Sequence, residues 1–282
     1  MNLPPVSPAV LPRLVLGSTS AYRRELLHRL GMPFEVRSPG VDETARAGEA
    51  PSALAERLAL AKARAVAAAL PDSDVVVIGS DQVADLRGHA LGKPGDHTGA
   101  TAQLRAMRGQ TVHFHTALTV CRPRTDYERT VVETVSVDFR DLSDAEIEAY
   151  LQREQPYDCA GSAKVEALGI TLLSRVASND PTTLIGLPLI ALCQLLREAG
   201  LRLAIITARR SAIVEQRAAE LGITTVIQGA RDKLAALDSL CAELGLARHQ
   251  VGFAGDDWTD LPAMMAAGFA AAVADAEPAV RA

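Results

Sequence analysis

The sequence predicts an α/β protein, on three observations. Short β-branched runs such as LVLG (14–17) and VVVIGS (75–80) alternate with alanine- and leucine-rich stretches of helical period. Two strand-like segments, TVHFHTALTVC (111–121) and RTVVETVSVDF (129–139), flank the turn-rich RPRTDYE and read as an antiparallel pair. Beyond Gly200 the alternation becomes strict, the pattern of a parallel doubly wound sheet.

The elements follow in order. LVLG is a buried strand, and SAYRRELLHRLG (20–31) is a helix with Leu26, Leu27 and Leu30 on one face and Gly31 closing it. Pro51 opens the helix PSALAERLALAKARAVAAAL, which leads into the strand VVVIGS with Asp81 at its end. SDAEIEAYLQ (143–152) begins with a capping box, Ser143 and Glu146. After Gly200 come strand LAIIT, helix SAIVEQRAAELG, strand TTVIQ, helix DKLAALDSLCAELG, strand VGFAG, a further helix and strand FAAAV. No Pro/Gly/Ser-rich linker divides the chain, so the boundary falls near 198–201, giving units 1–198 and 199–282. There is no internal repeat.

Bulk properties narrow the function. At 282 residues and 48% hydrophobic content the chain can bury a real core. A net charge of −5, with no dense Lys/Arg block, gives no reason to propose nucleic acid as a partner. Cys121, Cys159, Cys193 and Cys241 lie far apart without metal-ligand spacing, which reads as free thiols in a reducing cytoplasm. The start MNLPPVSPAV does not read as a signal peptide. LIGLPLIALCQLL (184–196) is too short to span a bilayer, so a soluble, cytoplasmic protein is expected.

GFAGDDWTDLP (252–262) sets Asp256, Asp257 and Asp260 after a glycine at a strand end, a pattern suited to magnesium and phosphoryl chemistry. With Thr207 ending LAIIT and Lys233 in RDK, these residues resemble the haloacid dehalogenase (HAD) superfamily, most closely its 3-deoxy-manno-octulosonate 8-phosphate phosphatase branch. The resemblance implies that Thr207 and Lys233 hold phosphate while the acids hold the metal. It covers only about 199–282 and omits the early strand whose Asp-x-Asp attacks phosphorus. The one Asp-x-Asp present, Asp72-Ser73-Asp74, precedes its strand instead of following it. The tail therefore reads as a partial HAD-like (Rossmannoid) half with a vestigial site, a packing remnant before an oligomerising or Mg²⁺-binding module.

The first part carries a fuller set. GSTSAYRRELL (17–27) places Ser18, Ser20, Arg23 and Arg24 where a strand turns into a helix, a setting that attracts anions. VDET (41–44) supplies Asp42 and Glu43, GSDQV (79–83) supplies Asp81, LGKPGD (91–96) presents Lys93, and Lys62 lies in the second helix. Acids for metal and water, with cations for phosphate, are what phosphoanhydride hydrolysis needs. These motifs, with CAGSAKVEALGITLLSRVASNDPTTLIGLPLIAL, resemble the Maf family of nucleotide pyrophosphatases over about 11–198. The resemblance implies a mixed sheet with flanking helices around a phosphate-binding cleft. It also implies metal-dependent (Mg²⁺ or Mn²⁺) cleavage between the α and β phosphates of a nucleoside triphosphate. Carried over, Asp81 is the catalytic base, Glu43 assists in binding the metal with it, and Lys62 and Lys93 hold the phosphates. Ser18, Ser20, Arg23 and Arg24 form the anion cradle.

Tyr22, Gln82 and Glu166 make the chain similar to the branch acting on 7-methyl-GTP. An aromatic face suits the positively charged ring, and a carboxylate can accept the N1 and N2 hydrogens. A half-buried packing role for Tyr22 and a surface charge for Glu166 are the plain alternatives. His113 and His115 alternate on one strand face and read as ordinary strand histidines, since no third ligand follows. Two other functions stay open: a sugar-phosphate phosphatase taking its aspartate from another chain, and a non-catalytic nucleotide binder. An open sheet edge in the tail also leaves a homodimer open.

Overall fold

In the computed structural model, residues 12–71, 74–200, 203–273 and 276–281 are described. Residues 1–11, which include most of the Pro-rich start, and Asp72-Ser73 of the Asp-x-Asp lie outside them. A seven-stranded mixed sheet is built from β1 (Arg13–Gly17), β2 (Glu35–Val36), β3 (Val75–Leu86), β4 (His89–Leu91), β5 (Thr111–Arg122), β6 (Tyr127–Phe139) and β7 (Leu173–Ala177). Its order is β2-β1-β3-β5-β6-β7, with β4 paired to β3. β1 runs parallel to β2 and β3, while β3, β5, β6 and β7 are successively antiparallel.

Period-2 alternation places the layers. Val76 and Ile78 of β3 pack with Leu14, Leu16, Leu118 and Val120 against α1 (Ala21–His28) and α5 (Leu189–Glu198). Val75 and Val77 face the other way, onto α2 (Pro51–Ala68). All four β3 side chains are fully buried, and each contributes about 1.5–3 kcal/mol of burial. The helix α2 buries Leu54, Ala55, Leu58, Ala59, Lys62, Ala63 and Val66, a helical stripe with one charged member. Gly79 lets that helix approach: a Cβ there would lie 2.3 Å from the Ala59 carbonyl oxygen and 2.6 Å from the Ala63 nitrogen. α3 (His97–Met107) and α4 (Asp144–Glu154) close the other end of the sheet, and Ser143 and Glu146 form the expected capping box.

β3 does not stop at Ser80. It continues to Leu86, so Asp81 lies mid-strand and not at a strand end. What ends there is its neighbour. β1 pairs with Val75–Gly79 and β4 with Ala84–Leu86, on the edge opposite β5, while β5 pairs with Val77–Asp85 throughout. Ser80–Val83 thus have no strand partner on that edge among the described residues, and the sheet opens into a cleft.

The remaining strands alternate with helices as the sequence predicts. They are β8 (Ala204–Thr207), β9 (Thr225–Gln228), β10 (Gly252–Gly255) and β11 (Phe269–Ala272), with α6 (Ala212–Glu220), α7 (Lys233–Leu244) and α8 (Leu261–Ala266) between them. They form two separate parallel pairs, β8 with β9 and β10 with β11, where one doubly wound sheet is expected. Ile206 of β8 nonetheless joins the core of Leu237, Phe253 and Met264. No helix among the described residues is long and apolar enough to cross a membrane.

Candidate active site

A cleft of about 880 Å³ opens where β1 ends, and both faces of β3 contribute to it. On the α2 face, Lys62 is 5% exposed and its Nζ lies 2.6 Å from Asp81 Oδ1 and 2.6 Å from Glu43 Oε1. Sequence sets this up simply: a lysine on the apolar stripe of α2 meets the odd-numbered side of β3 just past Gly79. A buried ammonium needs a charged partner, and here it has two. Burial raises the Glu43 carboxyl, but the hydrogen bond and charge of Lys62, with Lys93 and Arg23, hold it below its ordinary value. Asp42 has another role, accepting from the Thr44 amide and hydroxyl, while Arg57 ties Glu49 and the Thr44 carbonyl. These bonds fix the loop that delivers Glu43.

On the opposite face lie Ser18, Ser20, Arg23 and the even-numbered residues of β3. Ser20 caps α1, accepting from the Arg23 amide at 3.4 Å. Ser18 Oγ accepts from the Ser20 amide at 3.2 Å and from an Arg23 Nη at 3.3 Å, and Arg23 Nε donates to the Gly186 carbonyl at 2.9 Å. Burial pushes the Arg23 guanidinium down, and the charges of Asp81 and Glu43 pull it back up. The cradle and the acids thus share one field.

Lys93, Tyr22, Gln82 and Glu166 also border the cleft. Tyr22 is half-buried, with Lys164 Nζ 5.7 Å from its ring centroid and Cys159 Sγ donating to its hydroxyl at 3.6 Å. Burial, the Cys159 contact and the nearby Asp158 and Glu166 charges all raise the Tyr22 phenol, so it stays neutral. The Cys159 thiol is itself pushed up to about 11 by burial and stays protonated. Gln82 Nε2 donates to Thr116 Oγ1 and to the Thr183 and Leu184 carbonyls.

Of the residues expected here, Arg24 is the exception. It is exposed and does not border the cleft, because one helical step rotates it about 100° away from Arg23. Residues that the sequence did not single out border it as well: Ser38, Asp158, Cys159 and the carbonyl-bearing loop around Gly186. That loop meets β3 across more than a hundred residues of sequence, which no local pattern announces. His113 and His115 stack 6.4 Å apart and bond Ser136, Thr134 and Asp85.

The C-terminal acids are arranged otherwise. Asp260 is 3% exposed, pairs with the Lys233 ammonium through one oxygen, and accepts from the Asp256 and Asp257 amides with the other. Asp257 caps the Trp258 amide, and Thr207 accepts from the Arg209 amide. Asp260 thereby braces its own loop. Asp74, last of the Asp-x-Asp, is held by Arg122 in two hydrogen bonds of 3.0 and 2.9 Å.

Comparison with known proteins finds similar sequences and similar solved structures. The 7-methyl-GTP pyrophosphatase of Albidiferax ferrireducens is 58% identical over 197 residues, 70% of this chain and 98% of that protein. That of a Polaromonas species is 62% identical over 190 residues, 67% and 86% of the two. Among solved structures, the 3-deoxy-D-manno-octulosonate 8-phosphate phosphatase of Yersinia pestis is 44% identical in the C-terminal part, at a TM-score of 0.30. The match covers 32% of this chain and only 47% of that one, about half its length. The Maf-like protein family model matches residues 13–199, about two thirds of the sequence, and the chain belongs to that family.

Proposed function

We propose that the cleft hydrolyses the α–β phosphoanhydride of a nucleoside triphosphate, with 7-methyl-GTP as substrate. The observation that carries this is Lys62 shared between Asp81 and Glu43 at 2.6 Å each, on the wall of a cleft that also holds Arg23, Ser18 and Lys93. The identity of about 60% to 7-methyl-GTP pyrophosphatases supports the choice of nucleotide.

In this reading Asp81, oriented by Lys62, takes a proton from water as the water oxygen bonds to the α-phosphorus. The bridging oxygen leaves with pyrophosphate, so nucleoside monophosphate and pyrophosphate are the products. Arg23, Ser18, Ser20 and Lys93 hold the phosphate oxygens as charge shifts onto the leaving group. Tyr22 offers a neutral aromatic face, and Glu166 a carboxylate, to a cationic base. Glu43 and Asp81 are hard oxygen donors and suit Mg²⁺ or Mn²⁺, which commonly takes one or two carboxylates and completes its shell with substrate phosphate. When bound, such an ion offsets phosphate charge. We assign this activity to residues 1–198 and none to 199–282.

The test is a hydrolysis screen of 7-methyl-GTP, GTP, dTTP and UTP, with and without divalent metal, reading pyrophosphate and phosphate separately. Pyrophosphate released fastest from 7-methyl-GTP, and lost on chelation, is the expected result. Phosphate alone, or no turnover, overturns the assignment.

A further inference from the structure

We propose that Gln103 is a positioning residue for the cleft: its amide ties the turn that carries Lys93 to the loop that carries Cys159 and Glu166, and so sets where the Lys93 ammonium meets phosphate. The inference rests on the reading that a nucleoside triphosphate occupies the cleft with its phosphates on Lys93.

The turn has few other anchors. β4 ends at Leu91, paired with Ala84, and α3 begins at His97. Gly92, Lys93 and Gly95 are exposed, and a Cβ on either glycine would meet nothing within 4 Å, so packing does not hold the chain at those positions. Among the described residues, two hydrogen bonds hold 92–95: Gln103 Nε2 donates to the Gly92 carbonyl at 2.9 Å, and the Gly95 amide donates to the Tyr157 carbonyl at 3.1 Å. Pro94 has no N–H, and it rests against α3 at Gly99, where a Cβ would lie 2.4 Å from the Pro94 carbonyl oxygen. The half of the turn after Lys93 is thus located twice over. The peptide unit joining Gly92 to Lys93 takes its hydrogen bond from Gln103.

The other end of the same amide is fixed as firmly. The Gly92 carbonyl can only accept, so the Gln103 nitrogen must face it, and Gln103 Oε1 then takes the hydrogen of Ser162 Oγ at 2.6 Å. Ser162 is fully buried and has a left-handed φ of 53°, directly after Gly161 at 71°. A residue other than glycine keeps that conformation only where its surroundings impose it. Here Gln103 holds the hydroxyl, while the Tyr150 hydroxyl donates to the Ser162 carbonyl at 3.2 Å and accepts from the Lys164 amide at 3.0 Å.

Gln103 does not border the cleft, so it acts through the two segments it joins. Cys159, Ala160, Ala163 and Glu166 flank the Ser162 turn and do border it, as do Gly92 and Lys93. The charge of Lys93 also reaches Glu43 and helps hold that carboxyl below its ordinary value, so a shift of the turn moves the cation against the acids as well as against phosphate. One side chain thus sets the register of two parts of the wall that are some seventy residues apart in sequence.

The test is a double-mutant cycle read by binding, independently of turnover, on the full chain with the α,β-methylene analogue of 7-methyl-GTP in a calorimeter. Gln103→Met, which keeps length and removes both hydrogen bonds, is expected to weaken binding about fivefold, the loss of one anchoring hydrogen bond. In a Lys93→Met background, where Arg23, Ser18 and Ser20 still hold phosphate, the same substitution is expected to change affinity by less than about twofold, because the cation it positions is gone. A residue that only supported the fold would weaken both backgrounds alike. Gln103→Glu can still accept from Ser162 but has no hydrogen for the Gly92 carbonyl, and it covers the case in which the Met variant fails to fold; its added charge acts in both backgrounds and cancels in the comparison. A folded Gln103→Met protein with wild-type affinity overturns the proposal, as does equal loss in the two backgrounds. Failure of the wild type to bind the analogue overturns this proposal and the proposed function together, whereas the expected cycle without hydrolysis of 7-methyl-GTP overturns only the latter.

Discussion

Lys62 and Lys233 are both buried lysines paired with aspartate, and the surroundings of the two decide what each can do. Lys62 stands at the wall of a cleft and holds two carboxylates, one of which, Glu43, is more than half exposed. Lys233 meets Asp260 inside a packed loop, and the other oxygen of that carboxylate accepts from two backbone amides. The first cluster has charge left to offer a ligand. The second turns its buried charges on one another, and among the described residues no strand unites its two parallel pairs. Residue types alone do not make a site; unsatisfied capacity facing a cavity does.

The largest expected effect tests that contrast directly. Asp81→Asn should lower kcat/KM for pyrophosphate release by about 10²–10⁴-fold, the usual contribution of a general base, with the thermal transition retained. Asp257→Asn in the tail should leave the same rate within about twofold, since its side chain only caps the Trp258 amide. Comparable losses from the two substitutions would erase the distinction between the regions.

A backbone test comes next. Gly79→Ala drives a Cβ into the Ala59 oxygen and the Ala63 nitrogen, both main-chain atoms of α2 that no rotamer change can move. Overpacking of this kind costs about 1–3 kcal/mol and should also displace Lys62, so denaturation midpoint and kcat fall together. Gly255→Ala in the tail meets the Asp260 and Met264 side chains instead. It should disturb that loop and leave pyrophosphate release unchanged.

Acid titration sharpens the comparison further. The folded-state pKa of Glu43 is depressed by Lys62, Lys93 and Arg23 against the opposing effect of burial. A depressed carboxylate contributes stability that is present above its unfolded value and is lost as pH falls through the folded one. Stability should therefore decline below about pH 4.5, and Glu43→Gln should flatten that part of the curve. Melting temperatures from about pH 6 down to pH 2 measure it, and an unchanged acid limb in Glu43→Gln would remove Glu43 from the coupled set.

Much of this was legible in the sequence, and for identifiable reasons. The strand runs, the capping box at Ser143 and the β5–β6 pair depend on local patterning, which survives in a single sequence. Ser18, Arg23, Glu43, Lys62, Asp81 and Lys93 were recognisable because their motifs are short and ordered, and they do border one cleft. The extension of β3 past Ser80 was not legible, because β5 pairs with Asp81–Asp85 from about thirty positions away. Arg24 was grouped with Arg23 by adjacency, which a helix turns into divergence. The carbonyls of the 183–186 loop act by main-chain oxygen and by contacts across the chain, so side-chain identity gives no sign of them.

The smallest expected effect concerns that loop. Thr183 Oγ1 is the one buried side-chain polar atom without a hydrogen-bond partner among the described residues, although Asp260 in the tail has its oxygens engaged. A buried hydroxyl with no partner costs free energy, and removing it while keeping the shape recovers part of that cost. Thr183→Val should thus raise stability by about 1 kcal/mol while the backbone carbonyl that holds Gln82 and Thr116 stays in place. Chemical denaturation at neutral pH measures the difference. Destabilisation instead would mean that the hydroxyl has a partner in solution, and that the region around the cleft is as fully satisfied internally as the tail.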